Sequence, residues 1–368
     1  MKIHIDRATL AEGIGLVQKT VAARTASPIL ECILLSAGEG SLALTANNLE
    51  MGIESKPLPA EVLEKGLLAL SARLFGEIIR KVQGDTVTIE SDGQFVTKIS
   101  CGASEFKILG MDGAAFPALP DVPREDPFTV TPAVMKNMIR QTIFSIAQDE
   151  LRPVLTGELL EAGDGKLHLV SVDGYRISYR EARMEGCLER VSAIIPGKSM
   201  SELGRLLDAE SEDLVSVYFT ERHILFDLPN CLLVSRLIEG DYIPYRQSFG
   251  VDFPTVAEID REALVQAIER ASILSTDLRK SPVKLEIADG SLTITSHSEL
   301  GTTREQIPVS QDGPDLTIAF NPRYLLEALK AIEENRVRLQ LSTALSPLVM
   351  ASPQGGEDYL YLVLPLRL

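Results

Sequence analysis

The feature that most constrains this chain is that it repeats itself. Gly40-Ser41-Leu42-Ala43-Leu44 returns as Gly165-Lys166-Leu167-His168-Leu169 and again as Gly290-Ser291-Leu292-Thr293-Ile294, so the step from Gly40 to Gly165 to Gly290 is 125 residues each time. Self-similarity at a fixed period means one structural unit copied along the chain, and whatever the unit is, the whole must accommodate three of them. Each copy reads as a tight turn leading into a strand. A strand-like segment precedes it, at 33–37, 157–162 and 283–288, the third with alternating apolar residues.

Two helices complete each third. The first opens at a capping residue followed by helical spacing: Asp6-Arg7-Ala8-Thr9-Leu10, Thr131-Pro132-Ala133-Val134-Met135 and Asp260-Arg261-Glu262-Ala263-Leu264, the second with proline at its first helical position. The second is expected over 71–82, 196–207 and 321–332, with the apolar set Phe75, Ile78, Ile79 and Val82 answered by Met200, Leu203, Gly204 and Leu207 and then by Leu325, Ala328, Leu329 and Ile332. That stripe is core. Strands follow at 86–90, 214–219 and 337–341. The expected fold class is α+β, three copies of one domain, over 1–125, 126–252 and 253–368. The boundaries fall at the proline-rich 117–127 and at 250–254.

The closing helices repeat their charges as well. Arg73 and Arg80, Lys198 and Arg205, and Arg323 and Lys330 occupy matched places. The seven residues between the members of a pair are about two turns, so both bases lie on one face, opposite the apolar stripe. Two readings stay open here. Glu77, Glu202 and Glu327 stand four residues after the first base of each pair, as in a solvated face laced by salt bridges. Alternatively, three copies in register present six bases to one anionic partner. The net charge of −16 speaks against nucleic acid only if the bases are scattered, since an acidic protein can gather them on one surface.

Other classes find little support. The acids are dispersed, without the compact Asp-x-Asp pair that would hold catalytic metals. His4, His168, His223 and His297 lie far apart without metal-ligand or nucleophile spacing, and Gly13-Ile14-Gly15 sits in a helix pattern without the strand that a phosphate-binding fingerprint requires. Neither enzymatic activity nor a cofactor or metal is expected. Cys32, Cys101, Cys187 and Cys231 form no C-x-x-C pair and are expected as buried, reduced thiols. The charged N-terminus and the lack of a long apolar run point to a cytoplasmic protein without membrane contact.

Several strings resemble the bacterial β sliding clamp family, the processivity subunits of DNA polymerase III. They are Arg24 with Pro28-Ile29-Leu30, Leu155-Thr156-Gly157, Asp173-Gly174-Tyr175-Arg176, Ile195-Pro196-Gly197-Lys198, Ala271-Ser272-Ile273-Leu274-Ser275, Phe320-Asn321 and the terminal Leu364-Pro365-Leu366-Arg367-Leu368. Their joint order with the triple repeat covers essentially the whole chain. The resemblance implies a DNA clamp fold, with two three-domain subunits in a head-to-tail homodimer, helices lining a central hole and sheets outside. Double-stranded DNA would then meet Arg24, Arg73, Arg80, Lys198, Arg205, Arg323 and Lys330. Linear motifs of the polymerase III catalytic subunit, the clamp loader and repair proteins would dock on Leu155, Val172, Gly174, Tyr175, Arg176, Ile177, Arg246 and the tail Leu362, Val363, Leu364, Pro365, Leu366 and Arg367. In that pocket Arg176 and Arg246 would hold the peptide's polar groups. The dimer contact would set Phe106 and Ile108, on an edge strand, against Ile273 and Leu274, at a helix end. One departure from the family pattern is Tyr242-Ile243-Pro244-Tyr245, where the proline is displaced by one position. The rival reading is a repeat-built protein-interaction scaffold without DNA.

Overall fold

A computed structural model describes residues 1–22, 25–149, 151–186, 190–249, 252–274, 282–355 and 358–367. Six α-helices are found among them, two per sequence repeat: α1 (Arg7–Val17), α2 (Ala72–Lys81), α3 (Pro132–Thr142), α4 (Gly197–Leu206), α5 (Arg261–Ala271) and α6 (Pro322–Ala331).

The repeat is visible in the backbone at the turns that carry it. Glu39-Gly40, Asp164-Gly165 and Asp289-Gly290 all have positive φ at both positions, 48° and 76°, 53° and 74°, 49° and 71°. This is the two-residue turn whose twist matches that of the flanking strands, and glycine at its second position carries the left-handed conformation at no steric cost. The turns join Cys32–Gly38 to Ser41–Asn47, Gly157–Gly163 to Lys166–Val172 and Val283–Ala288 to Ser291–Ser298. Two of the expected caps, Asp6 and Asp260, are seen at work, and Asn321 caps α6 in the same way. Asp6 Oδ1 accepts from the Thr9 backbone N at 2.8 Å, Asp260 Oδ1 from Ala263 N at 2.8 Å, and Asn321 Oδ1 from Arg323 N at 3.0 Å. The apolar stripes of α2, α4 and α6 are buried at every matched position except Gly204, which is partly exposed.

The chain parts into two compact units that cut across the sequence repeats: Met1–Ala133 with Arg205–Leu237, and Val134–Gly204 with Ile238–Leu368. The reason is sheet continuity. In the first unit, strand Met51–Ser55 of repeat one pairs antiparallel with Cys231–Arg236 of repeat two, from Cys231 opposite Ser55 to Ser235 opposite Met51, which extends one sheet to 14 strands. In the second unit, Arg176–Arg183 of repeat two pairs with Tyr359–Val363 of repeat three, Arg176 opposite Val363, within a sheet of nine strands; a four-stranded sheet completes the third repeat. Backbone hydrogen bonds therefore bridge each repeat to its neighbour, and no unit boundary coincides with a repeat boundary.

Candidate functional site

The first candidate surface is the exposed face of α2, α4 and α6. Amphipathic spacing buries one side of each helix, so the residues seven apart on the other side must face solvent. Arg73, Arg80, Lys198, Arg205, Arg323 and Lys330 are all exposed. Their partners differ. Arg73 makes no ion pair among the described residues, although Glu77 is four residues away, so the salt-bridge reading fails for α2. Arg80 Nε donates to its own helix at Gly76 O, 3.0 Å, and Arg205 Nη2 to Leu16 O, 3.2 Å. On α6 the salt-bridge reading is right: Arg323 Nε lies 2.8 Å from Glu327 Oε1, and Lys330 Nζ lies 2.6 Å from Glu269 Oε1. Arg24 lies outside the described residues.

The second surface lies wholly in the second unit. Leu155, Val172, Ile177 and Leu362 are buried in one apolar cluster with Tyr179, Ile194, Tyr245 and Val349. Above Leu155 opens a cleft of about 300 Å³ walled by Ala147, Asp149, Leu151, Arg152, Asp173, Gly174 and Tyr175. Its rim is the turn 173–176. Asp173 Oδ1 accepts from Tyr175 N at 2.9 Å and from Arg176 N at 3.1 Å, and Gly174 takes φ 90°, a value that glycine adopts without strain. The C-terminal tail is tied to this rim: Leu364 N donates to Tyr175 O at 2.9 Å, and Leu366 N to Ala319 O at 2.8 Å. Tyr175 is 60% exposed and stacks on Tyr324 of α6 at 6.3 Å. The result is an apolar floor with an aromatic wall and polar edges, the chemistry of a peptide-anchoring groove.

The two arginines expected in this pocket both have partners within the chain. Arg176 is only 5% exposed, and its donors are already engaged by Asp173 Oδ2 (Nε, 2.9 Å), by Glu327 and by Phe144 O, with its guanidinium 4.5 Å over the Tyr324 ring. Each of its three nitrogens thus already donates within the chain and the side chain is nearly buried, so in this structure Arg176 braces the rim from beneath. Arg246 lines a different depression, with Glu161, His168, Tyr179, Glu181 and Arg190; its Nη2 lies 2.9 Å from Glu161 Oε2. Tyr245 is the cause. Buried beside it, its hydroxyl donates to the same Glu161 oxygen at 2.6 Å and carries the short helical turn Tyr245–Ser248 to that end of the sheet. The exposed cation that the cleft does possess is Arg152, which makes no ion pair among the described residues.

The third set is peripheral. Phe106, 37% exposed, and half-buried Ile108 lie on Ser104–Leu109, the last strand of its sheet, with one edge unpaired. Ile273, 73% exposed, and half-buried Leu274 follow the end of α5. Both places leave a large apolar side chain open to solvent, one at an edge strand and one at a helix end.

Comparison with known proteins resolves which family carries these features. Family models for the N-terminal, central and C-terminal domains of the DNA polymerase III beta subunit match residues 1–120, 129–244 and 246–367. The chain belongs to the beta sliding clamp family. A beta sliding clamp of Bacillus subtilis is 34% identical over the full length of both chains, and one of Staphylococcus aureus is 33% identical over 100% of this chain and 99% of its own. Among solved structures, a putative polymerase III beta subunit from Eubacterium rectale superposes with a TM-score of 0.96 at 36% identity and full coverage of both chains. The Bacillus subtilis sliding clamp gives 0.96 at 32%, covering 100% and 99%. The α+β clamp fold, three repeats to the chain, is thus that of the family, and so is the role: a non-catalytic processivity factor of the replicative DNA polymerase. Among the described residues no group of three or more His, Cys, Asp or Glu could hold a metal, and no helix is long and apolar enough to cross a membrane. What sequence reasoning missed are Arg152 and Tyr324. Neither lies in a string that resembles the family, and only the fold brings Arg152 to the cleft and Tyr324 against its rim residue Tyr175.

Proposed function

We propose that two copies of this chain close head to tail into a six-domain ring that encircles double-stranded DNA, slides along it without reading sequence, and tethers the polymerase III catalytic subunit, the clamp loader and repair proteins through the cleft above Leu155. The observation that carries this reading is the threefold repetition, at identical helix positions, of exposed bases opposite a buried stripe in a chain of net charge −16. A merely solvated face has no reason to keep its signs through three copies. Contacts from these bases reach phosphates only, and they are few, because base-specific or numerous contacts would pin a ring that has to move. Processivity then comes from linkage. A polymerase held to the duplex by a closed ring rebinds at the high effective concentration a tether supplies.

Within the cleft the apolar anchor of a linear motif sits on Leu155, backed by the buried Val172, Ile177 and Leu362, Arg152 meets a carboxylate or carbonyl of the peptide, and Leu364 to Arg367 form the second lip. Phe106 and Ile108 of one subunit meet Ile273 and Leu274 of the other. The deciding experiment loads the protein onto nicked circular DNA with the cognate loader and then cuts the circle. A ring stays on the closed circle and runs off the linear product. Retention that does not change on cutting replaces encirclement with direct affinity for DNA, and no retention at all removes the reading and leaves a scaffold without DNA.

A further inference from the structure

The carboxylate of Glu327 is shared between two places that the proposed function keeps separate. One oxygen takes Nε of Arg323, on the exposed face of α6, at 2.8 Å; the other takes Nη1 of Arg176. Arg176 holds the rim turn through Asp173, and Glu327 is itself largely covered, at 29% side-chain exposure. Burial works to raise its pKa, but the hydrogen bonds from Arg323 and Arg176 outweigh that and keep the carboxyl below the ordinary range, so it is charged at neutral pH. Tyr324, next to Arg323 on α6, touches both: the Arg176 guanidinium lies 4.5 Å from its ring centroid, and the Tyr175 ring stacks with it at 6.3 Å. Every member of this chain of contacts lies in the second unit.

We propose that Glu327 is a positioning residue that couples the DNA-facing helix to the partner-peptide cleft. The proposal rests on the reading that α6 faces DNA. A phosphate competes with Glu327 for Arg323. When it wins, the carboxylate is left to Arg176 alone, the charge-assisted bond to that guanidinium strengthens, and the turn 173–176 is held more firmly against the tail at Leu364. Conversely, a peptide that orders the turn draws Glu327 toward Arg176 and releases Arg323 to the phosphate. The two binding free energies are reciprocal by necessity, so the same factor appears in both. Because the Arg323 end is half exposed and screened, the factor is modest, about threefold. The consequence is a clamp that takes partner motifs more tightly when it is on DNA than when free in solution.

The test measures the Kd of a fluorescein-labelled synthetic peptide, carrying the clamp-binding segment of the cognate polymerase, with and without a saturating short duplex at low salt. A second label on the duplex reports its binding separately. The full-length protein is expected to bind the peptide about threefold more tightly with duplex present. Glu327→Gln brings that ratio to one, whereas Lys330→Gln, which weakens the duplex from the same helix without touching Arg176, leaves the ratio at about three once the duplex is again saturating. A ratio of one in the unaltered protein with duplex bound overturns the coupling and leaves the DNA reading standing. A ratio unmoved by Glu327→Gln overturns the role of this residue. Absence of duplex binding at any salt overturns the DNA reading on which both rest. Thermal melting accompanies each variant; if Glu327→Gln fails to fold, Glu327→Asp, too short to span both arginines, is expected to lose the ratio in its place.

Discussion

At the residue scale the instructive side chains are those whose type was legible and whose role was not. Arg176 stands out in the string Asp173-Gly174-Tyr175-Arg176, but a sequence cannot tell an arginine that receives a ligand from one that holds a turn, because the difference lies in Glu327, Phe144 and Tyr324, all distant along the chain. Arg176→Lys keeps the charge and loses the fork. The expected result is peptide binding weakened about tenfold, about 1.4 kcal/mol, in a chain that still folds; unchanged affinity in a fluorescence titration would remove Arg176 from the rim. Glu158 was not singled out at all. It is wholly buried, with Thr142 and Ser171 donating to one oxygen and, among the described residues, nothing to the other, and burial pushes its carboxyl from 4.5 up to about 7 against those two hydrogen bonds. Between those values the folded chain holds a proton that the unfolded chain has released, so the site's contribution is full below pH 4.5, falls as pH rises toward 7 and stays lost above it. Glu158→Gln removes this loss. Relative to the unaltered protein, the variant is expected to gain roughly 2 to 3 kcal/mol between pH 5 and pH 8. Parallel urea-midpoint curves for the two proteins would show that Glu158 does not titrate in this window.

At the element scale the sequence was most informative where three copies could be read against one another. The second helix of each repeat was expected over 71–82, 196–207 and 321–332 and is found as α2, α4 and α6, each one residue shorter at both ends, where Ser71, Pro196 and Asn321 precede the helix and Val82, Leu207 and Ile332 follow it. Apolar periodicity marks the buried stripe through those flanking residues, although their backbone has left the helix. The strands of the hairpins were equally legible, because glycine at the turn and alternation beside it are local signals. The pairing of Met51–Ser55 with Cys231–Arg236 was not, since an edge strand's partner is chosen by long-range packing and no residue in either segment announces it. The bases on these helices differ in what they must give up to reach a phosphate. Arg73 has no ion pair among the described residues, while Arg323 must leave Glu327. Arg73→Gln is therefore expected to weaken duplex binding more than Arg323→Gln, and each substitution should reduce the slope of log affinity against log salt by about 1. Equal losses from the two would mean that the Arg323–Glu327 pair presents no barrier.

At the scale of the whole molecule, the division into units bears on what each function needs. The repeats are continuous through their sheets, so the cleft above Leu155, its rim turn, Arg176, α6 and the tail all fall inside one compact unit. Peptide binding then asks for nothing from a second copy. The proposed encirclement does: each chain offers the open edge of Ser104–Leu109, where Phe106 is exposed, and the apolar helix end at Ile273, and a head-to-tail contact closes only when each chain supplies both. An exposed edge with Phe106 on it is also a liability that a partner removes by covering it. Ile273→Ala with Leu274→Ala takes the aliphatic half of that contact away, from side chains that are not core and whose loss leaves the fold intact. The expected outcome is a monomer in sedimentation velocity that melts as the parent subunit does and binds the labelled polymerase peptide within about twofold of the parent, a difference under 0.5 kcal/mol. On nicked circular DNA the same variant should show no retention after loader treatment. If it stays dimeric, the interface lies elsewhere; if it is monomeric yet retained on the circle, retention does not require a closed ring and the tether must be explained by direct affinity. Loss of peptide binding in a folded monomer would show instead that the cleft borrows something from the partner subunit, contrary to its containment in one unit.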